Sequence, residues 1–240
     1  MNISDFKNLM NKYAKDIDIM FTDEQINKFY NYMNLLIEWN EKINLTAITE
    51  PEDIIIKHFI DSLTINKYIN GNSTLADVGT GAGFPGIPLK IYRPDLNIFL
   101  VDSLNKRINF LNEVIDKLGL NNISTVHARV EDFGKNKQYR EHFDYVTARA
   151  VANLTVLSEY LLPIVKVCGK CICMKGSDVE DEIKSSQNAF KILGGNLEFV
   201  DKFFLPNTDI LRHIILIDKV KNTPAKYPRK AGIPVKEPLK

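Results

Sequence analysis

From Thr22 onward the hydrophobic positions recur with helical spacing: Ile26, Phe29, Tyr30, Met33 and Ile37, closing on the polar Asn40. That spacing predicts a helix with one buried face. Its start is well marked, because Thr22 and Gln25 stand at capping-box spacing and Phe21 and Ile26 at the spacing of a hydrophobic staple. Residues 4–16 predict a short preceding helix, and 50–69 one or two more. No strand pattern precedes Leu75, so the first seventy or so residues read as a helical cap.

After Leu75 the period changes. Apolar runs at 75–78, 97–101, 122–126, 143–147 and 166–174 predict strands, with helices near 85–92, 104–118, 153–162 and 178–191. Helix 104–118 carries an apolar stripe of Leu104, Ile108, Leu111, Ile115 and Leu118; Ser103 is placed to cap it and Gly119 to end it. Such alternation predicts a mostly parallel, doubly wound α/β sheet with helices on both faces. Beyond Gly194-Gly195, the runs 197–204 and 212–218 have no helix between them, only a turn at Pro206-Asn207. They predict an antiparallel hairpin closing the sheet edge. The chain thus divides into a cap (1–72), a sheet domain (73–220) and a basic, proline-rich tail (221–240).

Composition adds little to this picture except in the tail. With 45% hydrophobic and 25% charged residues, the 240-residue chain is ordinary for a globular protein. No apolar run approaches the roughly 18 residues of a membrane span, and Met1-Asn2-Ile3-Ser4-Asp5-Phe6 lacks a signal pattern, which together lead us to expect a cytoplasmic protein without membrane contact. Cys168, Cys171 and Cys173 share one apolar run and read as buried strand thiols. No second pair completes a four-ligand site, so no metal is expected. The net charge of +1 conceals residues 221–236, which carry basic side chains and no acid. That stretch reads either as a solvated tail or as an arm lying on a phosphate backbone, with Tyr227 available to stack or pack.

Candidate chemistry concentrates in Leu75-Ala76-Asp77-Val78-Gly79-Thr80-Gly81-Ala82-Gly83-Phe84-Pro85-Gly86. Gly79, Gly81 and Gly83 alternate after a strand, permitting positive φ and close approach of a ligand to the backbone at a helix start. Dinucleotides and S-adenosylmethionine both use such a turn. Gly81, Gly83 and Gly86 satisfy GxGxxG, yet the pattern begins late after the strand and encloses bulky Phe84 and Pro85, which suit a nucleoside face better than a pyrophosphate. The terminal hairpin also favours the class I S-adenosylmethionine-dependent methyltransferase fold, a Rossmann-like sheet. Asp102, ending the second strand, can accept hydrogen bonds from ribose hydroxyls. Val130, through its backbone, and Glu131 are placed to read an adenine edge, although Glu131 or Asp132 can equally cap a short helix. Asp77 is placed near the ammonium end of a methionine moiety, or else stabilises the turn.

Several blocks together resemble one family: Trp39-Asn40 with Asn44-Leu45-Thr46, His58-Phe59-Ile60-Asp61-Ser62-Leu63, Asp77-Val78-Gly79 through Pro88, Val101-Asp102-Ser103 with Lys106-Arg107, and Thr147-Ala148-Arg149-Ala150-Val151. The chain is similar along nearly its whole length to the glucose-inhibited division protein B family, also called RsmG. The resemblance implies a bacterial enzyme that methylates N7 of one guanosine in the decoding-region loop of 16S ribosomal RNA. It implies cofactor contacts at Gly79, Phe84, Val130, Glu131 and Arg149.

The residues accord with that chemistry. An exocyclic amine would call for an Asn/Asp-Pro-Pro-aromatic clamp where this chain has Thr147-Ala148-Arg149-Ala150, and a pyrimidine carbon would call for a cysteine nucleophile. Guanine N7 carries an exposed lone pair and needs neither. We therefore expect in-line transfer by positioning, without a general base. Arg149 is the leading candidate for substrate positioning or cofactor contact, against an ion pair with Asp77 or Glu131. Lys106, Arg107, Arg129, Lys175, Arg229 and Lys230 are candidate RNA contacts, with 16S RNA or the small ribosomal subunit as partner and a monomer as the acting form. His58 reads as a hydrogen-bond link between cap and sheet and Asp61 as a local cap or pair, or else the cap that carries them forms one wall of an RNA cleft. Asn40 and Asn44 stay similarly open. A small-molecule or protein methyltransferase, and more distantly a dinucleotide-binding protein, are the alternatives.

Overall fold

A computed structural model describes residues 1–176 and 179–239. One seven-stranded sheet carries β1 (Thr74–Val78), β2 (Asn97–Asp102), β3 (Ile123–His127), β4 (Phe143–Arg149), β5 (Val165–Lys175), β6 (Gly195–Phe204) and β7 (Leu211–Lys219), in the order β3-β2-β1-β4-β5-β7-β6. The first five strands pair in parallel, whereas β7 runs antiparallel to both β5 and β6. Each strand lies within two residues of its expected position.

The two sides of the sheet have separate cores because successive strand residues face opposite ways. Leu75, Ile98 and Leu100 belong to the core shared with the cap, while Ala76, Val78 and Val101 belong to the other. On the first face lie α1 (Ile3–Ala14), α2 (Asp23–Ile43), α5 (Gly86–Tyr92) and α6 (Asn105–Leu118). The run 51–63 joins them, built from α3 (Pro51–Ile54), a π-helical stretch (Ile55–Ile60) and α4 (Asp61–Leu63). The opposite face holds α7 (Val130–Lys135), α8 (Leu154–Leu161), α9 (Glu180–Leu193) and α10 (Ile233–Lys236). Among the described residues no helix is long and apolar enough to cross a membrane.

The Thr22 capping box forms as expected, with Gln25 N donating to Thr22 Oγ1 and Thr22 N to Gln25 Oε1. Gly119 ends α6 in the left-handed region. Four local expectations are corrected. Ser103 does not cap α6; Leu104 occupies the N-cap position, half exposed rather than buried, and Asp102 Oδ1 accepts its N–H. The expected helix 178–191 begins at Glu180 and runs to Leu193, and its expected first position, Asp178, lies outside the described residues. Cys168 is exposed with φ +71°, where the β4–β5 register shifts, while Cys171 and Cys173 are buried.

The tail is not a free arm: it is anchored at several points, although most of its side chains stay exposed. Thr223, Tyr227 and Pro228 are buried, and the Arg140 guanidinium donates to the carbonyls of Thr223, Pro224 and Tyr227. Its last position, 240, lies outside the described residues.

Candidate active site

Three glycines shape the turn after β1, with φ of +67° at Gly79, +61° at Gly81 and +97° at Gly83. A Cβ at Gly83 would lie 2.5 Å from Ile87 Cδ1 and 2.8 Å from Tyr32 Oη, and one at Gly79 would lie 2.8 Å from Val151 Cγ2. At Gly81 a Cβ would meet nothing nearer than the Gly79 carbonyl oxygen at 4.0 Å. Gly79 and Gly83 are thus required by packing, while Gly81 borders open space. Asp77 underpins the turn: its Oδ2 accepts from Thr80 Oγ1 at 2.6 Å and from Gly86 N at 2.8 Å. Its Oδ1 is buried without a hydrogen-bond partner, and burial raises the carboxyl pKa to about 6.

Asp102 stands beside this turn at the end of β2. Its Oδ1 accepts from Leu104 N at 2.9 Å; its Oδ2 accepts from Gly81 N at 3.0 Å and Arg107 Nη1 at 3.3 Å. It lines a cavity of about 290 Å³ together with Gly79, Ala128, Val130 and Glu131. Glu131 opens α7 and is buried, with Oε1 accepting from Gly232 N at 3.4 Å, so the C-terminal segment reaches back to this carboxylate. The neighbouring Tyr160 hydroxyl is pushed up to about 12, by burial first and then by Glu131.

A second cavity of about 440 Å³ adjoins the first through Gly79, Arg107 and Val151 and is lined also by Thr46, His58, Phe84 and Arg149. Arg149, at the end of β4, lies over the Phe84 ring with its Cζ 5.0 Å from the centroid. Its Nη1 donates to Lys57 O at 3.0 Å and Asp61 Oδ2 at 3.2 Å, and its Nη2 to His58 Nδ1 at 3.0 Å. The His58 ring stacks on Phe84 at 4.3 Å, and Nε2 lies 2.8 Å from Thr46 Oγ1. A guanidinium can only donate, so Nδ1 accepts and the proton of the neutral ring resides on Nε2, directed at Thr46. Burial and then the Arg149 charge lower the His58 pKa to about 3. Thr46 N in turn donates to Asn40 Oδ1 at 2.8 Å, while Asn44 ends α2 at φ +50°.

The expected cofactor residues Asp77, Gly79, Gly81, Gly83, Phe84, Asp102, Val130, Glu131 and Arg149 therefore gather along one edge of the sheet. They suit a nucleoside carrying a cationic amino-acid end: there is room above Gly81, a carboxylate is oriented at Asp102, and Asp77 Oδ1 is left unsatisfied. Arg149 is ion-paired, but with Asp61 of the cap rather than with Asp77 or Glu131. The basic candidates divide. Arg129 is exposed on the lining of the 290 Å³ cavity, Lys106 is exposed in the first turn of α6, next in the chain to the lining residue Arg107, and Lys230 is exposed on the tail. Arg229 is corrected: its guanidinium turns inward to the buried Glu159, with Nη2 to Oε2 at 2.6 Å and Nε to Oε1 at 2.9 Å. Lys175 is likewise engaged by Glu182 at 2.7 Å and Ala152 O at 2.7 Å, and Arg107 by Asp102. Sequence reading missed Arg212, whose Nε donates to Asp61 Oδ1 at 3.1 Å; it lies in an ordinary strand pattern 63 positions from Arg149 and carries no local signal.

Residues 25–214 match the GidB family, described as rRNA small subunit methyltransferase G. The chain is 52% identical over 239 residues to a ribosomal RNA small subunit methyltransferase G of Desulforamulus reducens, covering 99% of this chain and all of that one. It is 53% identical over 234 residues to the protein of the same description from Acetivibrio thermocellus, covering 97% and 96%. Its fold is similar to a solved complex of the Haloferax volcanii Trm112 methyltransferase activator with a putative methyltransferase, with TM-score 0.58 at 12% identity over 78% of this chain and 98% of that one. A glycine turn bordered by Asp102 and Glu131, with Arg149 across from it, in a sheet of this order and at this identity, leaves one conclusion: the chain belongs to the GidB family of small-subunit rRNA methyltransferases.

Proposed function

We infer that this protein transfers a methyl group from S-adenosylmethionine to N7 of a guanosine in 16S ribosomal RNA, acting as a monomer in the bacterial cytoplasm. The observation that carries the reading is the chemistry at the end of β4, where Arg149, a side chain that can only donate, lines the cavity on which the glycine turn opens. The cysteines stand apart from it: Cys171 and Cys173 are buried within β5, and burial holds both thiols well above their ordinary pKa. His58, the imidazole of the site, has its acceptor nitrogen occupied by Arg149. An acceptor that already carries its lone pair suits such a site.

S-adenosylmethionine supplies an electrophilic methyl group on a sulfonium centre. The residues of the chain hold it and exclude water. Asp102 would receive ribose hydroxyls, the Val130 backbone and Glu131 would border the adenine, Phe84 would cover one face, and the open cradle at Gly81 would admit the rest. Asp77 holds the turn through Oδ2, and its buried, unpaired Oδ1 would supply negative charge beneath the turn for the cationic end. Arg149 would fix the acceptor relative to the methyl group, and holding the two partners in line can remove up to about 7–11 kcal/mol of barrier. The exposed Lys106, Arg129 and Lys230 meet RNA phosphates.

The test is to incubate the protein with labelled S-adenosylmethionine and small ribosomal subunits, or their deproteinised RNA, from cells lacking the enzyme. A single labelled 7-methylguanosine is expected. Cofactor binding without label on either RNA form would redirect the activity to small molecules or proteins.

A further inference from the structure

Behind Arg149, on the side away from the glycine turn, lies a third cavity of about 400 Å³. It shares His58, Arg149 and Ala150 with the 440 Å³ cavity, and its size falls within the range of ligand clefts, about 300–1,000 Å³. Ile48 and Met174 supply its apolar walls, and Arg149 and Arg212 its charge. Its one carboxylate among the described residues, Asp61, is buried and paired at both oxygens: Oδ2 accepts from Arg149 Nη1 at 3.2 Å and Oδ1 from Arg212 Nε at 3.1 Å.

This cross-neutralisation has a chemical consequence. Two guanidiniums would repel each other without Asp61; with it, both are held in place, and neither carboxylate oxygen is left without a donor. His58 is equally spent, Nδ1 on Arg149 and Nε2 on Thr46. Lys57 pairs with Asp53, and Lys175 with Glu182. Arg149 keeps Nε–H and one Nη2–H, and Arg212 its Nη2 group, without a partner among the described residues. Among the described residues, the charged side chains therefore offer unpaired donors to the cavity, while its carboxylate already accepts a guanidinium N–H at each oxygen. A purine whose exposed edge carries an acceptor at position 6 is welcomed there; one carrying an amino group at that position meets donors with donors and leaves both unpaired, the form of mismatch a site punishes most.

We propose that this cavity is the subsite for the target base, and that Arg149 and Arg212, held together by Asp61, select guanine over adenine by donating to O6. The proposal rests on the guanine-N7 reading above. N7 then stays free and faces the 440 Å³ cavity across the shared wall at Ala150, while Ile48 and Met174 flank the ring. Arg212 becomes a substrate contact contributed by β7, on the antiparallel hairpin.

The test uses the full chain and 16S RNA in which the modified guanosine, mapped first with the unaltered enzyme, is replaced by inosine or adenosine through splinted ligation. Inosine keeps O6 and is methylated like guanosine; adenosine is expected to react slower by roughly 10- to 100-fold or more. Arg212→Ala is expected to lower kcat/KM for the guanosine RNA by a similar factor, roughly 10- to 100-fold, with cofactor affinity by calorimetry unchanged. Ile48→Trp, which fills the cavity from a partly exposed loop position, gives the same split, and its cofactor titration shows that the variant is folded. Adenosine accepted as readily as guanosine, or Arg212→Ala and Ile48→Trp enzymes with unaltered RNA kinetics, would overturn the subsite while leaving the methyltransferase reading intact. Parallel loss of cofactor affinity in Arg212→Ala would also overturn it, by showing that Arg212 serves the cofactor side. An unaltered enzyme that labels no guanosine defeats the function itself.

Discussion

Arg149 stands between two cavities, one proposed for the cofactor and one for the acceptor, and these two sides are built in different ways. The cofactor side comes from short contiguous segments, each folded by its own sequence: the glycine turn at 77–86, the Asp102 corner and the start of α7 at 130–131. The acceptor side is assembled from residues far apart in the chain: Thr46 beyond α2, His58 and Asp61 in the irregular run 51–63, Arg149 on β4 and Arg212 on β7. Backbone conformation secures the first, and a buried polar network the second. A network of that kind depends on every member, since removing one leaves others buried and unpaired.

The largest effect is expected on the acceptor side. Asp61→Ala leaves Arg149 and Arg212 facing each other without a counter-charge, and we expect a loss of about 3–5 kcal/mol in urea unfolding. Because the glycine turn is untouched, RNA methylation should suffer far more than cofactor binding in the same variant. A variant that lost both equally would mean that the two sides are one unit.

Gly83→Ala tests the other side. Its Cβ would press on Ile87 and Tyr32 from a backbone at φ +97°, and we expect about 3 kcal/mol of destabilisation in thermal melts with cofactor affinity lost first in calorimetry.

The two sides also differ in their response to pH. His58, on the acceptor side, has its folded pKa lowered to about 3 from an ordinary 6.5, so its stabilising contribution is present above pH 6.5 and declines as pH falls toward 3. Asp77, on the cofactor side, is raised to about 6, so the folded state binds the proton more tightly and stability declines as pH rises from about 4 to 6. The two slopes oppose each other and nearly cancel in that window, because each group exchanges at most one proton, so the rise shows mainly below about pH 4, where His58 acts alone. In His58→Gln the rise should vanish and the Asp77 decline appear, read from chemical unfolding at a series of pH values.

The smallest effect belongs to the rim. Lys106→Ala and Arg129→Ala remove exposed charges beside the cofactor cavity. Each should lower the slope of log RNA affinity against log salt by about 1 while leaving stability unchanged.

The same division explains what could be read in the chain. The seven strands, the glycine turn, Asp102 and the capped start of α2 were legible because period, cap and turn chemistry are local. Asp61 was read only as a local partner or a wall of the cleft, and Arg212 not at all, because an ion pair across 151 positions leaves no mark in spacing. The tail misled for a related reason. A basic, acid-free run such as 221–236 looks solvated or RNA-bound, yet its Arg229 answers Glu159, a buried carboxylate 70 residues earlier.

By itself, then, the sequence determined the order of the elements, the turn at which a nucleoside can approach the backbone and the family of the protein, since hydrophobic period and glycine placement act over a few residues. Only the tertiary structure decided which charges neutralise each other and which remain for a ligand. The π-helical stretch and the start of α4 present His58 and Asp61 to a strand end, the antiparallel hairpin brings Arg212 to the same point, and the folded-back tail reaches Glu131. Burial makes each of these pairings compulsory, because a charge removed from water must find its partner wherever the fold delivers one.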